Sequence, residues 1–228
     1  MRALVMANTG DDDLGYVGER LRERGFAVEI SYRDSHDPID LDGVDLLVLL
    51  GSDWSVHWDH VAPFVERESD AVRHAVETGT PVLGICYGGQ LVSHALGGSA
   101  EPSDIVEIGW FEILSQDADL APTGPWFEFH VDKFTPPADA VVLATTEAGP
   151  QAYRLGKVLA LQFHPEVTPE IIRRWGAASA REAELYGIDF DGVYQQSDEI
   201  AELSRKRCHE LVDAFLDTVA FPSNANQI

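Results

Sequence analysis

The feature that most constrains the fold is a series of short, apolar runs separated by helical patterns. The run Leu46–Leu50 is apolar at every position, and Pro81–Ile85 is nearly so. A strand with one solvated face would alternate apolar and polar residues instead. Between these runs, apolar side chains recur at helical spacing over residues 61–78. Strands buried on both faces and joined by helices predict an α/β fold with a mostly parallel sheet.

The same criteria place the other elements along the chain. Further strands are predicted at Ala3–Met6, Val28–Ser31, Val106–Leu114, Val141–Thr145 and Val158–Gln162. Helices are predicted at Leu14–Arg24, Gln90–Leu96, Ile171–Tyr186 and Asp198–Val219, the last with an apolar stripe that includes Leu203. The strands after residue 98 are expected to form hairpins at the far side of the sheet. We expect one domain over residues 1–228, with residues 175–228 as a helical extension.

Charge and cysteine content restrict the partners and the compartment. The net charge of −23 argues against binding nucleic acid or an anionic membrane, since phosphate contacts need Lys and Arg. No run of about 18 apolar residues predicts a membrane span, and the N-terminal apolar run is too short for a signal peptide. Cys86 and Cys208 are the two cysteines, far apart in sequence, so a disulfide framework is not expected. A reducing cytoplasm is the predicted location.

Cys86 stands where an apolar strand passes into a helical pattern. Gly84 and Gly88 lie two residues to either side of it, which gives a G-x-C-x-G arrangement. This is the cysteine form of a nucleophile elbow, a sharp strand-to-helix turn at which neighbouring side chains would clash. The thiol of such a residue lies above the ends of the sheet strands, where open α/β sheets bind ligands. It also lies at a helix N-terminus, whose dipole favours a thiolate.

A catalytic thiol needs a base, and the base needs a group that orients it. The segment Leu161-Gln-Phe-His-Pro-Glu166 provides both at the end of a predicted strand. His164 is the candidate base, and Glu166 is placed to accept the second imidazole N–H. The sequence therefore predicts a triad of Cys86, His164 and Glu166.

Gly84–Gln90 and Gln162–Glu166 resemble the nucleophile and base motifs of class I (triad) glutamine amidotransferases. The resemblance is closest to the amidotransferase domain of GMP synthetase and its free-standing relatives. It covers roughly residues 46–167, including Gly109-Trp110, the segment Phe127-Glu-Phe-His-Val-Asp-Lys-Phe134, and Gln151-Ala-Tyr-Arg154. It implies a flavodoxin-like α/β fold with the central sheet flanked by helices.

The resemblance also implies a reaction and further site residues. Cys86 would attack the side-chain amide of glutamine and form a γ-glutamyl thioester, which water then hydrolyses. The backbone N–H groups that stabilise the oxyanion would come from Tyr87 and from the loop at Gly51 and Ser52. In that loop, Gly51-Ser52-Asp53 stands where the family usually has Gly-Gly-Pro, and a serine must then adopt a conformation that suits glycine. The residues expected to bind substrate are Gln90, His130, Val131 and Asp132.

Three functions stay open at this level. The first is a glutaminase that passes ammonia to a separate synthase subunit. The second is a γ-glutamyl hydrolase or peptidase that uses the same triad on γ-glutamyl amides or peptides. The third is a regulatory or binding module without catalysis, against which the intact triad argues. No cofactor is expected, because no P-loop motif is present, and no metal is expected, because His57 and His60 lack further ligands at suitable spacing.

Overall fold

The computed structural model describes residues 1–222, and a nine-stranded sheet runs through it. Its strands are β1 Arg2–Ala7, β2 Ala27–Tyr32, β3 Leu46–Leu49, β4 Val82–Ile85, β5 Ser99–Ser115, β6 Gly124–Thr135, β7 Val141–Thr146, β8 Gly149–Leu155 and β9 Val158–Leu161. The helices are α1 Gly15–Glu23, α2 Ala62–Thr78, α3 Tyr87–Ala95, α4 Pro169–Ala178, α5 Ala180–Tyr186 and α6 Phe190–Ala214. A π-helical turn, Phe215–Ala220, continues α6. Among these residues, no helix is both long and apolar enough to cross a bilayer.

The sheet has a parallel half and an antiparallel half. Its strand order is β2-β1-β3-β4-β9-β8-β7-β5-β6. The pairs from β2 to β9 are parallel, and the pairs from β9 to β6 are antiparallel. The carboxyl ends of β3, β4 and β9 therefore meet at one edge, which brings the segments that follow Leu49, Ile85 and Leu161 together. The predicted α/β class and the hairpins after residue 98 are confirmed. The sheet is mixed rather than mostly parallel, because hairpins join the strands after residue 98 and four of the eight strand pairs in the described residues are antiparallel.

Apolar side chains cover both faces of the parallel half. On one face, α1, α6 and the π-helical turn bury Val17, Leu21, Leu211, Val212 and Phe215 against the sheet. On the other face, α2 and α3 bury Val65, Val72, Leu91 and Val92. This double coverage explains why every residue of β3, β4 and β9 is buried.

The C-terminal helices differ from the prediction in three ways. The predicted helix Ile171–Tyr186 is two helices, because the backbone leaves the helical conformation at Ser179. Helix α6 begins at Phe190 instead of 198, where the Asp189 side chain accepts a hydrogen bond from the Gly192 N–H at 3.2 Å. The assignment of Leu203 to the apolar stripe is wrong, since that side chain is 45% exposed.

Strands β6 and β8 are absent from the predicted set. Strand β6 does not show the usual alternation of apolar and polar residues in its sequence, because some of its inward positions are polar. Glu128, His130 and Asp132 are all buried there. The division of the chain into one domain with a helical extension at residues 175–228 stays a prediction. Residues 223–228 of that extension lie outside the described residues.

Candidate active site

Cys86 occupies a strained turn between β4 and α3. Its backbone has φ 52° and ψ −111°, and it is the one non-glycine residue with positive φ in residues 1–222. Such a conformation costs on the order of 1–3 kcal/mol and persists where the surroundings enforce it. The Cys86 N–H donates to the Leu161 carbonyl at 2.8 Å, so the turn is fixed to β9.

Close backbone packing explains the glycines around Cys86. A Cβ at Gly84 would lie 2.7 Å from the Gly88 carbonyl oxygen, and one at Gly89 would lie 2.6 Å from that of Leu161. A Cβ at Gly88 would overlap the carbonyl of Leu49. Neighbouring strands and the first turn of α3 thus leave no room for side chains at these positions, as the elbow motif predicts.

His164 follows β9 and faces the same edge of the sheet. The backbone N–H of His164 donates to the Phe127 carbonyl at 2.8 Å, and its ring Nδ1 lies 2.7 Å from Oε1 of Glu166. The imidazole packs edge-on against Trp175 with 4.9 Å between ring centroids. The side chains of His164 and Glu166 are both almost completely buried. Burial and these contacts hold the imidazole in one orientation.

The electrostatic environment favours a charged His164. Burial by itself would lower the pKa of His164, but the Glu166 carboxylate and the Cys86 sulphur outweigh it and hold that pKa well above its ordinary value. The Nε2 atom has no hydrogen bond of normal geometry within residues 1–222, and so stays available on the side away from Glu166. The structure thus brings the three residues of the predicted triad together.

Gln162 is a neighbour of the sulphur that sequence reasoning missed. Its Nε2 lies 3.8 Å from Sγ of Cys86, and the Phe129 carbonyl oxygen lies 3.8 Å from the same atom. Gln162 belongs to the motif that carries the family resemblance, but nothing in its residue type indicates contact with the thiol. The register of β9 against β4 decides that contact.

The loop of Gly51 and Ser52 lies beside the imidazole. A Cβ on Gly51 would be 2.9 Å from Cε1 of His164 and 3.7 Å from Cβ of Cys86. Glycine is therefore required at position 51 for space. Ser52 does not have positive φ, so the expected difficulty of placing serine in a glycine conformation does not arise. Tyr87 begins α3, where the first N–H groups have no partner within the helix.

The residues predicted to bind substrate line one cleft of about 710 Å³ together with Cys86 and His164. Gln90 is buried and donates through Nε2 to the Asp132 carbonyl at 3.1 Å. Val131 is 39% exposed. The cleft continues past Cys86 along α4 and α5, where its lining includes Trp175, Ala178 and Tyr186.

His130 is part of a buried ionic cluster. Its Nε2 lies 3.1 Å from Oε2 of Glu107 and 3.3 Å from Oε2 of Glu128. Burial opposes the charge on His130, but the two carboxylates raise its pKa to about 10. Burial also raises the pKa of Glu128 to about 7. Gln151 donates to the same oxygen of Glu107 at 2.9 Å.

The distances between possible metal-ligand atoms would suit a metal ion in this cluster, and not at His57 and His60. Ligand atoms of Glu107, Glu128 and His130 lie within 4.8 Å of one another. Within this structure the imidazolium already supplies the positive charge between the carboxylates. His57 lies instead 3.8 Å from Asp132, and His60 stacks on Trp58.

Comparisons with known proteins agree with this arrangement. The sequence model of the family Glutamine amidotransferase class-I matches residues 14–173, more than half of the chain. A glutamine-hydrolysing GMP synthase from Aeropyrum pernix is 34% identical over 174 residues, which are 72% of this chain and 33% of that protein. A GMP synthase of the same name from Aquifex aeolicus is 31% identical over 203 residues, 82% of this chain and 36% of that protein.

Solved structures show the same fold. A glutamine amidotransferase from Thermotoga maritima has a TM-score of 0.85 at 24% identity, with 96% of this chain and 99% of that chain covered. A glutamine amidotransferase from Methylobacillus flagellatus has a TM-score of 0.80 at 20% identity and covers 100% of this chain. The chain spans about a third of the GMP synthases that it matches. By the extent of the family match, this chain belongs to the class I glutamine amidotransferases.

Proposed function

We propose that this protein hydrolyses the side-chain amide of glutamine through a γ-glutamyl thioester on Cys86. The observation that carries the proposal is the position of Cys86 on a strained elbow, beside an imidazole that Glu166 orients from its other nitrogen. A buried thiol, base and orienting carboxylate are the parts that nucleophilic catalysis requires. The glutamine-hydrolysing activity named for the relatives supports the choice of substrate.

The first half of the reaction forms the thioester. The sulphur, as thiolate, bonds to the amide carbon of glutamine, and the carbonyl electrons move onto oxygen. Protonated His164 then gives its proton to the amide nitrogen, the carbon–nitrogen bond breaks, and ammonia leaves. The helix N-terminus at Cys86 and the nearby imidazolium both stabilise negative charge on sulphur.

The second half of the reaction returns the enzyme to its starting state. Neutral His164 takes a proton from water, whose oxygen attacks the thioester carbon. The carbon–sulphur bond then breaks, which releases glutamate and the thiolate. The N–H groups of Tyr87 and Ser52 are the proposed donors to the oxyanion in both halves, with Gly51 providing the space.

A second group of residues in the cleft is proposed to orient the substrate. His130 is the proposed contact for the α-carboxylate of glutamine through Nδ1, which has no hydrogen-bond partner within residues 1–222, whereas Nε2 faces Glu107 and Glu128. Asp132 is a buried carboxylate that suits the α-amino group. Gln90 and Val131 complete this part of the cleft.

A separate synthase is the proposed consumer of the ammonia. The relatives are about three times as long as the matched region, and their names join glutamine hydrolysis to GMP synthesis. Those names support a synthase as the consumer of the ammonia released at Cys86.

One observation favours a second candidate, a hydrolase of γ-glutamyl amides or peptides. The cleft of about 710 Å³ exceeds what a single glutamine occupies, and it extends from Cys86 to Ala178 and Tyr186. A leaving group larger than ammonia has room on that side. The acyl-enzyme would be the same in both reactions.

The test measures release of ammonia from glutamine and of amine from γ-glutamyl-p-nitroanilide and γ-glutamyl peptides. Cys86→Ala should abolish both activities, whereas Cys208→Ala, at a buried cysteine on α6, should keep them. Intact-mass measurement after rapid quenching should detect the γ-glutamyl adduct on the active protein. A faster reaction with the anilide or peptides would select the second candidate. No release from any of these substrates would favour a module without catalysis.

A further inference from the structure

Arg33 is a completely buried arginine directly after β2. Its side chain is 0% exposed, and its backbone N–H donates to the Ala7 carbonyl at 2.8 Å. All five N–H groups of the guanidinium have partners. The acceptors are Glu68 Oε1 at 3.2 Å, Asn8 Oδ1 at 2.9 Å, and the carbonyls of Met6 at 3.2 Å, Leu50 at 2.9 Å and Gly51 at 2.9 Å.

Stability is a poor explanation for such an arrangement. Glu68, the counter-ion on α2, is also 0% exposed. Removing both charges from water costs so much that well-packed apolar residues often replace a buried ion pair without loss of stability. The positions of the acceptors indicate a different role. Three of them are carbonyls at the carboxyl ends of β1 and β3, and one of these belongs to Gly51, which lies beside Cys86 and His164.

The bond to the Gly51 carbonyl fixes the direction of one peptide group. Residues 1–222 contain no cis peptide bond, so the carbonyl of Gly51 and the N–H of Ser52 point in opposite directions. With the carbonyl held by Arg33, the Ser52 N–H is directed away from the guanidinium. Rotating this peptide would break the Arg33 bond and leave a buried donor without a partner, which is unfavourable.

Arg33 also contacts the residue that supplies the other proposed donor. Its Cζ lies 4.6 Å from the ring centroid of Tyr87, a cation–π distance. Tyr87 is the first residue of α3, and its backbone N–H follows Cys86 directly. One guanidinium therefore contacts both sides of the proposed oxyanion site, through a carbonyl on one side and an aromatic ring on the other.

We propose that Arg33 is a positioning residue that holds the oxyanion site of Gly51, Ser52 and Tyr87 in its active orientation. The proposal rests on the function proposed above for Cys86. Arg33 acts through the Gly51–Ser52 peptide and the Tyr87 ring, without touching the substrate.

The test uses two reactions of Cys86 that differ in their need for an oxyanion site. Acylation by p-nitrophenyl acetate passes through a tetrahedral oxyanion, whereas alkylation by iodoacetamide does not. The double variant Arg33→Met/Glu68→Gln removes the guanidinium without leaving a buried charge. It should acylate about 10²–10³-fold more slowly, with alkylation at the rate of the unaltered protein.

Arg67→Met is the matched control. Arg67 also donates to backbone carbonyls, those of Arg33, Ser35 and Asp37, but it does not contact Gly51. This variant should keep the ratio of acylation to alkylation. Arg33→Lys preserves the charge opposite Glu68 and should also lower the ratio of acylation to alkylation. This variant replaces the double variant in the test if the double variant does not fold. An unchanged ratio in the folded Arg33 variant would overturn the proposal.

Neither reaction depends on recognition of glutamine. Failure of the unaltered protein to release ammonia or amine would count against the proposed function alone. An unchanged acylation ratio would count against the role of Arg33 alone.

Discussion

Nδ1 of His164 lies 2.7 Å from Oε1 of Glu166, and this contact decides which imidazole nitrogen remains for Cys86. A neutral imidazole that donates from Nδ1 presents Nε2 as its acceptor. The buried carboxylate also stabilises the protonated ring, in which both nitrogens donate. One side chain two residues along the chain thus sets the orientation and the charge of the proposed base.

Replacing Glu166 should slow turnover and lower the pKa of His164. Glu166→Gln keeps an acceptor for the Nδ1 proton but removes the charge, whereas Glu166→Ala removes both. We expect kcat to fall about 10²–10⁴-fold in the alanine variant and less in the glutamine variant. His164→Ala should cost more than either, because it removes the proton transfer itself. NMR titration of the imidazole against pH measures the pKa, and an unchanged pKa would contradict the assignment of Glu166.

Gly51→Ala should misplace the base. The added methyl group would lie 2.9 Å from Cε1 of His164, so the ring must move. Displacement of a catalytic group by about 1 Å costs about 10²-fold in rate, and we expect kcat to fall by that amount. The control is Ser52→Ala, which removes a hydroxyl that caps the Trp54 N–H at 3.1 Å but keeps the Ser52 N–H. A kcat in Gly51→Ala equal to that of the unaltered protein would show that position 51 tolerates a side chain.

Cys86→Gly should be more stable than Cys86→Ala. Both variants lack the thiol, but alanine retains the Cβ that makes φ 52° unfavourable. Relief of about 1–3 kcal/mol of strain is partly offset by the greater freedom of glycine in the unfolded chain. We expect a net gain of about 1 kcal/mol in the free energy of unfolding, measured by urea denaturation. A glycine variant less stable than the alanine variant by the full cost of glycine, about 1 kcal/mol, would contradict strain at the elbow.

Stability should fall as the pH rises through the range in which Glu128 titrates. Burial raises the pKa of Glu128 from 4.5 to about 7, so the folded protein binds this proton more tightly than the unfolded chain. The contribution of Glu128 to the free energy of unfolding is therefore largest below about pH 4.5 and is lost between pH 4.5 and 7. Glu128→Gln should flatten the pH dependence of the unfolding free energy over that interval.

Glu112→Gln is the control for this effect. Glu112 lies on β5 and is exposed, so its replacement should leave the slope unchanged. His130, with a pKa of about 10, should contribute a further loss of stability between pH 6.5 and 10. A slope in Glu128→Gln equal to that of the unaltered protein would contradict a proton-linked role for the carboxyl.

The parallel half of the fold could be predicted because its signals are local. Continuous apolar runs such as Leu46–Leu50 differ in period from the helices between them, and each becomes an element within a few residues of the predicted bounds. Strand β6 lacks such a signal. Its inward positions carry Glu128, His130 and Asp132. The charges of Glu128 and His130 are buried against one another and against Glu107, a residue on β5. Only pairing of β5 with β6 creates that environment.

By itself, the sequence determined the family and predicted the chemistry that we propose at Cys86. Both signals are local. The glycines around Cys86 are required by the close approach of neighbouring backbone, and Glu166 can reach the imidazole because it is only two residues from His164. The tertiary structure decided which groups surround the sulphur: Gln162 reaches it through strand register, and Arg33 reaches the Gly51 peptide from the end of β2. Contacts between residues so far apart depend on how the sheet is ordered, which no single stretch of sequence encodes.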